Sequence, residues 1–117
     1  MSPKQELRKH DRYLCSAVAE IRIRTGIATG ASYVALVTDV CVNGMRASMD
    51  GPIEVDSQVL VTAPGQLEFV GTVRHLRQDG REYTIGIEFT SGKWNTDSNW
   101  PQHRSLAERE QRVCAEC

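Results

Sequence analysis

A chain of 117 residues with 40% hydrophobic and 25% charged side chains has the size and mixture of one soluble globular domain with a modest core. Its formal charge of -1 excludes the broadly basic face that nucleic-acid polymers require, so any anion site must be local. The opening stretch MSPKQELRKHDRY holds no apolar run fit for a signal peptide, and no later segment is long and apolar enough to span a bilayer. A cytoplasmic protein without membrane insertion is the expectation, and in that compartment Cys15, Cys41, Cys114 and Cys117 are expected as free thiols rather than a disulfide framework.

In chain order, residues 1–16 read as an N-terminal arm in which Arg8, Lys9 and Arg12 concentrate positive charge. Residues 17–92 read as a β domain. EIRIR (20–24) alternates strictly, with Ile21 and Ile23 on one side and Arg22 and Arg24 on the other, the pattern of a strand with one buried and one wet face. After the turn TGIATG come SYVALVTDV (32–40), GMRASM (44–49), SQVLVTA (57–63), LEFVGTVRHL (67–76) and EYTIGIEF (82–89). The connections DGPIEVD, PGQ and RQDGR are rich in turn formers and too short for crossover helices, so six antiparallel strands closing into a barrel or sandwich are predicted. Residues 93–117 change character. A polar stretch with Trp94 and Trp100 leads to RSLAEREQRVCAEC, where Ser105 and Glu108 match a capping box and predict a helix over 106–115, closing a barrel mouth or packing on a partner.

Two stretches stand out chemically. Arg8 and Arg12, four residues apart, offer two guanidinium forks to one anion, since guanidinium pairs bidentately with phosphate and reads the O6/N7 edge of guanine. Taken alone, the pair reads more simply as a solvated basic face near a chain terminus. DVCVNG (39–44) supplies a carboxylate at Asp39, a small side chain at Cys41, and an Asn43-Gly44 turn in which positive φ at Gly44 would let a ligand approach the backbone. Without context, a hairpin with a favourable Asn-Gly turn accounts for it.

In combination, R8-x-x-x-R12 and D39-x-C41-x-x-G44, set before and within a run of strands, resemble the PilZ domain family. Its signature is R-x-x-x-R followed by [D/N]-x-S-x-x-G in a six-stranded antiparallel barrel. G71-T-V-R-H, then Asp79-Gly80, then Y83-T-I-G-I-E-F89 look like that family's closing hairpin. The resemblance implies binding of the bacterial second messenger cyclic di-GMP, with no other cofactor. Carried over, Arg8 and Arg12 would clamp phosphates and guanine edges, Asp39 would accept from the N1–H and N2–H of a guanine, and Gly44 would leave room for the ligand. Lys9 and His75 are second-tier contacts, with a solvated lysine and a barrel-rim histidine as their simpler readings. Cys41 stands where the family has serine. A thiol is the poorer hydrogen-bonding group, and the loss of one ordinary bond costs about 1 kcal/mol. The implied processes are motility, adhesion and exopolysaccharide control, reached through an effector protein that the sequence does not identify.

Other functions have weaker support. C114-A-E-C117 supplies two of the four ligands a structural zinc needs, and no completing residue stands at motif spacing. No nucleophile elbow surrounds Cys15, Cys41 or the three histidines, so no catalytic residues are assigned and an enzyme is not expected. The rival to the receptor is a ligand-free adaptor with the same barrel, using the C-terminal helix and Trp94 and Trp100 as exposed interface anchors; the alternative for the two tryptophans is that they simply pack the helix onto the barrel. Retention of Arg8, Arg12, Asp39 and Gly44 together favours the receptor.

Overall fold

Alternation along the chain translates directly into a barrel. The computed structural model describes residues 12–65, 67–94 and 100–101. It contains six strands: β1 Tyr13–Ile23, β2 Ser32–Cys41, β3 Gly44–Met49, β4 Gln58–Ala63, β5 Leu67–Asp79 and β6 Glu82–Ser91. They pair antiparallel in the closed order β1-β2-β3-β6-β5-β4, with β4 returning to β1. Ile21 and Ile23 of β1, Ala35 and Val37 of β2, Ala47 of β3, Val59 and Val61 of β4, Val73 of β5, and Ile85 of β6 point inward and are buried. Full burial of such a side chain stabilises by about 1.5–3 kcal/mol, so the interior of this small barrel is the main source of stability.

The strands differ from the sequence expectation at two ends. β1 starts at Tyr13, within the segment assigned to the arm, rather than at Glu20. The register between β1 and β2 slips between Leu14 and Ala17, and such a bulge destroys the period-two pattern that reveals a strand. β5 runs on to Asp79, and the β5–β6 turn is the two-residue loop Gly80-Arg81, with Gly80 at φ +67°. The predicted C-terminal helix over 106–115 lies outside the described residues. Among the described residues, no helix is long and apolar enough to cross a membrane.

Trp94 and Trp100 are not exposed anchors. Both are buried because the chain after β6 folds back on the barrel. The Trp94 amide donates to the Val42 carbonyl at 3.2 Å, and its indole Nε1–H donates to the Trp100 carbonyl at 2.8 Å. The Trp94 ring meets Tyr13 at 5.3 Å between centroids, tilted by 52°, and Trp100 lies 6.3 Å from Phe69. Large aromatic area packed at such geometry joins these residues to the core.

Candidate functional site

Arg12 immediately precedes β1, and Asp39 lies near the end of β2. The pairing of Leu14 with Asp39 brings the two together, placing Arg12 Nε 3.6 Å from Asp39 Oδ1. Their side chains are only 5% and 10% exposed, so this ion pair is held out of water, where a charge tolerates burial only with a partner. The same β1 bulge that displaces Cys15 from the regular ladder sets its thiol beside the carboxylate. Cys15 donates weakly to the Val37 carbonyl at 3.4 Å, and its pKa is pushed up to about 12, first by burial and then by the charge of Asp39.

The ladder extends this site sideways. Asp39 pairs with Arg46, Arg46 with Gly86, and Gly86 with His75. Four strands thus bring Asp39, Arg46, Gly86 and His75 into one transverse row of the barrel. Asp39 sits next to a second bulge, at Thr38, whose hydroxyl donates to the Arg46 carbonyl at 3.3 Å and so ties β2 to β3 at this level. His75 is exposed, and its ring leans over Gly86, where an added Cβ would come within 3.1 Å of the imidazole Cδ2.

Gly44 is needed for a different reason from the one expected. It is not among the residues with positive φ. The two-residue turn is Val42-Asn43, and Gly44 opens β3, paired with Cys41 on one side and Glu88 on the other. A side chain at Gly44 would run into the Ile87 carbonyl of the neighbouring strand, so this glycine permits close approach of β3 to β6. The turn itself is pinned by the chain entering and leaving the end of β6. The Phe89 amide donates to the Asn43 carbonyl at 2.7 Å, and Lys93 Nζ donates to Asn43 Oδ1 at 3.0 Å.

Cys41 departs from the expectation of free thiols: it is disulfide-bonded. Cys15, by contrast, is a free cysteine. Redox compartment alone says nothing of which sulfurs a fold brings within bonding distance, and in this state Cys41 has no S–H to donate. Arg8 and Lys9 lie outside the described residues. Among those described, no group of three or more His, Cys, Asp or Glu is placed to hold a metal ion.

Arg46 and Gly86 were not singled out from the sequence. Arg46 reads as one more polar residue of an alternating strand, and only the register shows that it adjoins Asp39. Gly86 carried a usable signal, because an isolated glycine inside a strand marks a close approach.

Comparison with known proteins agrees with this architecture. No curated protein matches the chain. Among solved structures, the PilZ domain with c-di-GMP of YcgR from Escherichia coli is similar at a TM-score of 0.53 with 16% sequence identity, covering 71% of this chain and 77% of that one. At that identity the likeness speaks for the fold. The family model for the PilZ domain matches residues 6–94, a span that takes in all six strands together with both arginines that precede them. With the barrel order and the Arg12–Asp39 convergence described above, that match places the chain in the PilZ domain family.

Proposed function

We propose that this domain binds cyclic di-GMP on the outer face of β1, β2 and β3 and passes the resulting change of shape to an effector protein. The carrying observation is the convergence of Arg12 and Asp39, from the two halves of the motif, at 3.6 Å on one patch of the barrel. In this reading Arg8 and Arg12, ahead of β1, clamp phosphate oxygens and guanine edges as rigid bidentate donors. Asp39 accepts from guanine N1–H and N2–H, while Gly44 and the small Cys41 keep the strand ends clear of the ligand. Arg46 supplies a further cation in the same row. Lys9 adds charge from the arm, and His75, exposed over Gly86, offers a ring face for a base. The six-stranded barrel acts as the rigid platform, in the cytoplasm. The similarity to a PilZ domain solved with c-di-GMP supports the choice of ligand.

An effector needs a surface near the ligand, and Val18, Val34 and Leu36 remain exposed on the outer face of β1 and β2. Val18 pairs with Leu36, and Leu36 with Ser48, two residues along β3 from Arg46. The adaptor reading loses its proposed anchors, since both tryptophans are buried.

Isothermal titration of cyclic di-GMP into the full chain tests the ligand, with GTP as control and Arg8→Ala as the variant, each with and without reductant because Cys41 is disulfide-bonded. Saturable heat that the variant weakens at least tenfold is expected. No heat at about 100 μM of each component, where micromolar contacts must register, would end the receptor reading.

A further inference from the structure

The pair that marks the site also blocks it. Asp39 has a side chain only 10% exposed, and Arg12 Nε lies 3.6 Å from its Oδ1. A base cannot reach that carboxylate while Arg12 stays in place. The two competing groups are chemically alike: a guanidinium presents adjacent N–H donors in a planar fork, and guanine presents N1–H and N2–H along one planar edge. We infer that Arg12 is a built-in stand-in for guanine, an autoinhibitory contact that the ligand displaces by exchange at Asp39. This inference rests on the cyclic di-GMP reading and adds a regulatory step to it.

The exchange has direct chemical consequences. Arg12 leaves the carboxylate as guanine arrives, so the carboxylate is never left uncompensated and the freed guanidinium becomes available to a phosphate. Because Arg12 adjoins Tyr13, a buried core residue at the start of β1, its release moves the chain at the point where the arm meets the barrel. Adenine cannot make the exchange. Its corresponding edge places the N1 lone pair against the carboxylate, so a cyclic di-AMP ligand leaves Arg12 where it is. The closed pair also lowers the apparent affinity of every guanine ligand by the fraction of molecules in which it is open.

Nuclear magnetic resonance on the full-length protein reads the exchange directly. On titration with cyclic di-GMP, the Arg12 Nε–H resonance is expected to move together with the backbone amides of Leu14, Asp39 and Gly44, and cyclic di-AMP is expected to move none of them. If the amides shift to saturation while Arg12 Nε–H stays in place, the receptor reading stands and the exchange is overturned. If no resonance moves, both fall. A second arm uses GMP, which has the guanine edge and a single phosphate. Arg12→Ala is expected to bind GMP at Asp39 at least tenfold more tightly than the wild type, as read from the same amides, although it binds cyclic di-GMP more weakly. Equal or weaker GMP binding by a folded Arg12→Ala overturns the exchange, and the Arg12 Nε–H measurement decides the matter if that variant does not fold.

Discussion

Two arginines on this barrel sit beside carboxylates and do different work. Arg74 on β5 donates to Glu88 on β6 at 2.8 Å and reaches Asp56 at 3.4 Å, with side chains about half exposed or more. Arg12 and Asp39 stand farther apart, at 3.6 Å, yet are nearly sealed from solvent. The shorter contact is the cheaper one to lose. Water and salt screen the Arg74 cluster and can replace either partner, whereas removing one member of the Arg12 pair takes an opposite charge away from a group held in a poorly solvated place. Environment, more than distance, decides what a charge pair contributes.

The comparison can be broken experimentally. The largest effect is expected for Arg12→Ala, which takes the guanidinium away from the buried Asp39 carboxylate and destabilises by about 3–5 kcal/mol in urea denaturation. The double substitution Arg12→Met with Asp39→Leu removes both charges and is expected to recover most of that loss. A double variant as unstable as the single one would show that packing, not charge, holds this corner. Gly44→Ala is expected next, at about 3 kcal/mol, because the new methyl meets backbone at Ile87 and no flexible side chain can yield. Absent at neutral pH and confined to alkali is the effect of Cys15. Its folded pKa of about 12 lies above the ordinary 9.0, so the folded state keeps its proton longer. Stability is intact below pH 9 and falls as pH rises through the window up to about 12, by at most about 1.4 kcal/mol per pH unit relative to Cys15→Ala. Parallel stability profiles for the two proteins above pH 9 would refute this. The smallest effect belongs to Arg74→Ala, for which the denaturation midpoint should stay within error of the wild type at physiological salt.

The sequence made the barrel legible because its inward residues alternate. Ile21, Ile23, Val59, Val61, Ile85 and Ile87 need only the pleat to place them, and short turn-rich connections forced antiparallel neighbours. The start of β1 was not legible, since Cys15 and Ser16 sit in a bulge where alternation fails. The row linking Asp39, Arg46, Gly86 and His75 was hidden for a related reason: pairing register depends on bulges in two strands, and a shift of one residue would turn Arg46 away from Asp39. For Trp94 and Trp100 a polar linker left exposed anchor and barrel packing both open, and their contacts with Tyr13 and Phe69 decide for packing. Gly44 was correctly singled out with the wrong cause, for a turn glycine and a close-approach glycine look identical in one sequence.

No spacer separates Arg12 from Tyr13, the first residue of β1 and part of the core. The guanidinium is therefore positioned by the barrel's own frame and not by a tether that could absorb a change in length. Inserting a single residue between them would displace Arg12 by about 3.3 Å and turn it to the opposite side of the chain. An insertion should be tolerated far better at the exposed Gly80-Arg81 turn than at this joint.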